Sequence, residues 1–205
     1  MQNIDEDMRP YERIYKVFRG DNNYIYKGVK ADLVLPTAAN VSTGNTTDYM
    51  NWYIGFTDDN ERQVEAGISY TKKFDGTKKF GKFFNVNGLT VLSDPLASQP
   101  ALGSTINLRL ENNNSIVKFY INDYLIFTRT CSIDPTTQVK LVHGTEGGNC
   151  TYTNAKFQNA YFKNGSGVWT AWSSCSENEK VIGTGTNVSE IYRVSDFNPM
   201  KTKAF

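Results

Sequence analysis

Strict alternation of apolar and polar residues recurs through this chain, the pattern of strands with one face in a core and the other outward. In Met50–Thr57, Trp52, Ile54 and Phe56 share a face, with Tyr53 and Gly55 opposite. The run after it sets Val64, Ala66, Ile68 and Tyr70 against Gln63, Glu65 and Ser69. Further on, Ile106, Leu108 and Leu110 alternate with Asn107, Arg109 and Glu111, and Val117, Phe119 and Ile121 with Lys118 and Tyr120. With Tyr24–Pro36, Lys78–Gly88, YLIFTRT, QVKLVHG and NAKFQNAYFKNG, the chain offers at least nine strand candidates. Polar turns such as Asp58–Arg62, Asn112–Asn114 and Asn122-Asp123 separate them, which is how hairpins read. The stretch Tyr11–Phe18 fits a helix or a strand. Ser93–Gly103, with Pro95 and Pro100, reads as the longest internal connection.

Composition agrees with the pattern. Twelve Tyr, twelve Phe and three Trp among 205 residues suit pleated, half-buried surfaces. Lys plus Arg is 22 against 21 for Asp plus Glu, a net charge of +1, which argues against a nucleic-acid partner held by phosphate charge. No apolar run approaches the roughly 20 residues of a membrane-spanning helix. These features predict an all-β protein: a single-domain jelly-roll β-sandwich of two antiparallel sheets over residues 1–205, with 1–12 as a flexible N-terminal segment. The charged N-terminus is not a signal peptide. The aromatic, Asn- and Thr-rich composition nevertheless suits a secreted, extracellular protein whose leader is absent from this sequence.

The hairpin formed by SIVKFYIND and YLIFTRT resembles a strand pair of the concanavalin A-like lectin/glucanase superfamily. Asp123 stands where glycine is usual there, a small change in a turn. The run WYIGFT, VEAGISY, KFGKFFN, STINLRLEN, QVKLVHG and NAYFKNGSGVW is similar to a family of secreted bacillus proteins with that fold. The resemblance implies a fold more than an activity.

Enzymatic signatures are incomplete. Glucanases of that superfamily place catalytic carboxylates at alternate positions of one strand, whereas Glu65 is followed by Gly67 and Ser69. Glu65 and Glu111 remain candidates to meet across strands. Asp58, Asp59 and Glu61 sit in a turn and are expected to be solvated. Tyr161–Gly165 resembles the start of a jelly-roll alginate lyase strand, but Gly167 replaces the lyase tyrosine and Lys140 its histidine. His143, the sole histidine, reads as a strand-end residue. No catalytic residue is assigned, and the chain leans away from being an enzyme.

Three cysteines and one histidine, without a CxxC pair, argue against a thiolate or histidine zinc site, so no metal residue is assigned. Calcium stays open through the lectin resemblance, without a ligand loop of alternating carboxylates. Cys150 and Cys175 form a candidate disulfide. The segment Trp169–Ser176 fits the opening of a thrombospondin type-1 repeat, but no later cysteine exists to staple one. A final sandwich strand, burying one Trp and exposing the other, fits better.

The outward sets Tyr53, Gln63 and Glu65, Asn107, Arg109 and Glu111, and Lys118 and Tyr120 combine aromatic faces with hydrogen-bonding groups. The leading expectation is that they share one face of a non-catalytic carbohydrate-binding or surface-recognition domain, whose partner is a polysaccharide or cell-surface glycan. The alternatives are a glycosidase or lyase with a non-standard site on the same face, and a structural or oligomerising extracellular protein. The oligomeric state stays open.

Overall fold

The computed structural model describes residues 13–20, 24–41, 48–73, 75–133, 135–146, 150–172, 176–182, 191–193 and 200–204. Among them there is no helix. In chain order the strands are β1 (Arg13–Arg19), β2 (Tyr26–Val34), β3 (Ala39–Asn40), β4 (Tyr49–Asp58), β5 (Gln63–Lys72), β6 (Lys78–Val86), β7 (Leu89–Pro95) and β8 (Thr105–Asn113). Then follow β9 (Ile116–Ile121), β10 (Tyr124–Thr130), β11 (Thr136–Glu146), β12 (Thr151–Asn164), β13 (Trp169–Ala171), β14 (Ser176–Ile182), β15 (Ile191–Arg193) and β16 (Met200–Ala204).

One sheet has the order β14-β1-β11-β4-β5-β6-β7, and its pairs are antiparallel. The other runs β10-β9-β8-β2-β12-β16-β15, with β3 and β13 also paired to β12. The result is a jelly-roll β-sandwich of two antiparallel sheets.

Alternation decides the layers. Trp52, Ile54 and Phe56, then Val64, Ala66 and Ile68, face inward from the seven-stranded sheet. Ile106, Leu108 and Leu110, then Val117, Phe119 and Ile121, face inward from the other, and all of them meet in one core. The hairpin tips follow from turn chemistry. Asn87-Gly88, Asn114-Ser115 and Asn122-Asp123 all have positive φ, as a two-residue type I′ turn requires.

Several expectations are corrected. The ambiguous N-terminal stretch is a strand from Arg13, paired with β11 and β14, while residues 1–12 lie outside the described residues. Ser93–Pro95 belongs to β7 rather than to a connection, because Phe83 and Phe84 pair with Ser93 and Leu92. The turn placed at Asn112–Asn114 is centred on Asn114-Ser115, and Asn112 is buried, donating to the Ile133 carbonyl at 2.7 Å and to Thr136. Asp58 is not solvated. It is buried and accepts from Arg62 Nε at 2.7 Å and from the backbone N–H groups of Asn60 and Arg62, so it ties the β4–β5 turn together.

His143 is no strand-end residue. It is fully buried between the sheets, edge-on to Phe18 and Phe157 with ring centroids at 5.9 and 4.9 Å, because it shares the parity of Leu141. Trp172 is buried and Trp169 partly exposed on β13, but three further strands follow, so that strand is not the last. Cys150 is buried, and Cys175, its candidate disulfide partner, lies outside the described residues.

Candidate functional site

A groove of about 500 Å³ opens on the outer face of the seven-stranded sheet. Its floor is set by cross-strand register. Val17, Val142, Tyr53, Gly67 and Phe83 form one row across β1, β11, β4, β5 and β6. Their side chains make a small apolar cluster outside the main core, with Tyr53 and Phe83 edge to face at 5.6 Å. A Cβ on Gly67 would stand 2.3 Å from the Trp52 carbonyl oxygen and 2.5 Å from Tyr53 Cβ, so this mid-strand glycine gives Tyr53 its place.

The neighbouring row is polar. Lys140, Gly55 and Glu65 are paired across β11, β4 and β5. Gly55 has no side chain to obstruct Lys140, whose Cε lies 2.8 Å from where a Cβ would be. Lys140 Nζ therefore reaches Glu65 at 2.5 Å and Gln63 at 2.9 Å, with its side chain only 8% exposed. Arg19 flanks this end. Burial lowers its guanidinium pKa from the ordinary value, and the nearby Tyr53 acts in the opposite direction. Arginine nevertheless stays charged.

At the other end of the groove Asn51 donates to Glu146 at 3.4 Å. The Oδ1 atoms of Asn51 and Asn85, both residues of the groove lining, are buried and have no hydrogen-bond partner among the described residues.

The structure divides the eight sequence-derived candidates. Tyr53, Gln63 and Glu65 are in the groove. Asn107, Arg109, Glu111, Lys118 and Tyr120 lie on β8 and β9 of the opposite sheet, so the eight do not share a face. Each strand's parity reads as expected, but sheet membership separates the sets. Glu65 and Glu111 are thus on opposite sides of the sandwich.

That second face is covered by its own side chains. Arg109 stacks on Tyr120 at 3.9 Å, donates to Glu111 at 2.7 Å and reaches Asp123 at 3.4 Å. Lys163 takes the other Glu111 oxygen at 2.7 Å. Trp169 lies over Gly28, with Lys30 and Lys163 at 4.7 and 5.7 Å from its ring. Asp32 accepts from Asn107 and Asn159, both at 2.8 Å.

Sequence reasoning missed Asn51, Phe83, Lys140 and Glu146. The available signal was glycine inside strands, at Gly55, Gly67 and Gly81, which marks close approach of another group. Among the described residues, no group of three or more His, Cys, Asp or Glu side chains could hold a metal ion. No helix there is long and apolar enough to cross a membrane.

No family model and no curated protein matches the chain, so the narrower likeness to secreted bacillus proteins has no counterpart at the level of sequence. Solved structures do match. A scytalido-glutamic peptidase, solved with a peptide-based transition state analog, superposes over 95% of this chain and 97% of its own at a TM-score of 0.59 and 13% identity. A tetrameric galectin from the ball sponge Cinachyrella covers 72% of this chain and 98% of its own, at 0.43 and 15%. A carbohydrate-binding module, CBM66 from Bacillus subtilis, covers 74% and 82%, at 0.42 and 17%. The likeness to the peptidase, at 13% identity, is one of fold alone.

Proposed function

We propose that the groove of the seven-stranded sheet binds a polysaccharide or other cell-surface glycan without cleaving it, as the recognition domain of a secreted protein. The observation that carries this reading is the apolar row of Tyr53 and Phe83 with hydrogen-bonding groups along both borders. Sugar rings present C–H faces to aromatic surfaces and hydroxyls to amides and charged groups. Gln63, Glu65 and Lys140 line one border, and Asn51 and Glu146 the other.

The same geometry argues against hydrolysis by the two glutamates of the groove. Glu65 is held by Lys140. Glu146, the other glutamate of the groove, lies two strands away and beyond Lys140 on β11 by Leu141–Thr145. That is roughly 20 Å along the strand at the usual rise. Glycosidase carboxylates stand about 5–9.5 Å apart.

A glycan array followed by calorimetry tests the reading. Binding should weaken about tenfold in Phe83→Ala, the cost of one aromatic platform, and should follow Phe83 rather than Tyr120 on the opposite sheet. Thermal melts check that the variants fold. A lack of binding to every glycan would overturn the proposal, and release of shortened chains from a bound glycan would replace it with an enzymatic one.

A further inference from the structure

The hairpin joining β5 to β6 repeats Thr-Lys-Lys-Phe on either side of Asp75-Gly76. Register pairs Lys72 with Lys78 and Thr71 with Lys79, so four lysines crowd one hairpin end. The turn is well held. Lys73 N–H donates to the Thr77 carbonyl at 2.8 Å, Gly76 has φ +83°, and Asp75 Oδ1 accepts from Thr77 N–H and Oγ1 at 2.9 and 2.6 Å. Those bonds hold the Asp75 carboxyl below its usual pKa, with Lys79 contributing a smaller pull.

Alternation sorts the lysines. Lys73 and Lys79 line the end of the groove, both exposed, and neither forms an ion pair among the described residues. The two glutamates that line the same groove are engaged or distant. Glu65 is paired with Lys140 and Glu146 is bonded to Asn51 three strands from Lys79, which leaves Asp94, exposed on β7 opposite Lys82 in register, as the one carboxylate near the lysines in the groove lining. Two exposed ammonium groups, Lys73 and Lys79, outnumber that carboxylate at this mouth.

Lys79, Gly81 and Phe83 follow one another on the groove side of β6. Lys79 and Phe83 are therefore about 13 Å apart along the strand, a few sugar rings in length. Between them Gly81 adds no side chain to the floor.

We infer that the ligand of the groove is an acidic polysaccharide, whose carboxylate or sulfate groups dock on Lys73 and Lys79 while its rings lie along Gly81 onto Phe83, which Tyr53 supports from beneath. The inference rests on the glycan reading above and names its chemical class. Charge complementarity carries it. An anionic chain meets unpaired ammonium groups at the mouth and an apolar strip inside. A bare polyanion would use only the first of these.

The test uses carboxylated and sulfated oligosaccharides beside methyl-esterified or desulfated forms of the same chains, with polyphosphate as a polyanion that has no rings. Acidic chains should bind at least about tenfold more tightly than their neutral forms at low salt, with the margin shrinking as ionic strength rises. The Lys73→Gln/Lys79→Gln double variant should remove most of that margin and leave the melting temperature unchanged, since both side chains are exposed. Phe83→Ala should weaken acidic and neutral chains alike.

Neutral forms binding as well as acidic ones would overturn this inference and leave the glycan reading standing. An unaltered margin in the double variant would also overturn it. So would polyphosphate binding as tightly as the acidic glycans without any dependence on Phe83. Absence of binding to every chain would remove both proposals together.

Discussion

Tyr53 and Gly67 face each other across β4 and β5, and a side chain on the glycine would stand 2.5 Å from Tyr53 Cβ, in the space that Tyr53 occupies. Only 7% of Tyr53 is exposed, so it is part of a second, smaller core rather than a free surface aromatic. A side chain at position 67 would meet backbone, which cannot swing away as a flexible side chain can.

Gly67→Ala is therefore expected to cost about 3 kcal/mol, at the upper end of overpacking effects. Urea unfolding measures it. A loss below about 0.5 kcal/mol, the range of ordinary surface changes, would show that β4 and β5 relax around the methyl group. Gly88→Ala is a contrasting case. No atom lies within 4 Å of its added Cβ, yet its φ of +80° makes the substitution strained through backbone conformation alone.

Lys140 and Glu65 form a mostly buried ion pair, with side-chain exposures of 8% and 12%. Removing one partner strands the other. Glu65→Leu should destabilise by about 3 kcal/mol, whereas Lys140→Met/Glu65→Leu should recover most of that loss, since an apolar pair needs no desolvated charge. A double-mutant cycle from chemical denaturation measures the coupling. Simple additivity of the two single variants would show that the pair contributes nothing.

Alkaline pH should destabilise the fold in two stages. Burial, with the Asp48 and Glu146 carboxylates adding to it, pushes the Cys150 thiol well above its ordinary pKa, and burial raises Tyr70 as well. Groups whose folded pKa is raised contribute stability that is complete below the unfolded pKa and is lost as pH rises through the folded one. The decline should begin near pH 8.5, where an unfolded thiol ionises, and steepen near about pH 10 with tyrosine. Cys150→Ala should shrink the first stage to the part that Cys131 contributes, since burial raises that thiol too. Cys150 in the folded protein should also resist alkylation at about pH 8, because the thiolate is the reactive form. Rapid labelling of Cys150 without unfolding would contradict its burial.

Arg109→Lys should not be conservative. The guanidinium stacks on Tyr120 at 3.9 Å while bonding Glu111, and an ammonium cannot do both in that plane. A loss of about 1 kcal/mol is expected. Tyr120→Ala should cost a similar amount and should not add to it, since both remove the same contact. Full additivity would place the effect elsewhere.

The sequence by itself determined the phase of each strand. Val64, Ala66 and Ile68 face the core and Gln63 and Glu65 do not, because a one-residue slip would exchange the two sets, and burial of one face forbids that. It also determined the hairpin ends, since Asn87-Gly88 and Asn122-Asp123 can take positive φ locally. Only the tertiary structure decided which strands share a sheet. Pairing β4 with β11 joins residues far apart in sequence, and nothing in either segment names its partner. That pairing brings Lys140 over Gly55 to Glu65, while the pairing of β8 with β2 and β9 puts Arg109 and Tyr120 on the opposite face from Tyr53. Alternation is a property of the single strand, enforced residue by residue. The groove is a property of long-range register, which many weak cross-strand contacts select together.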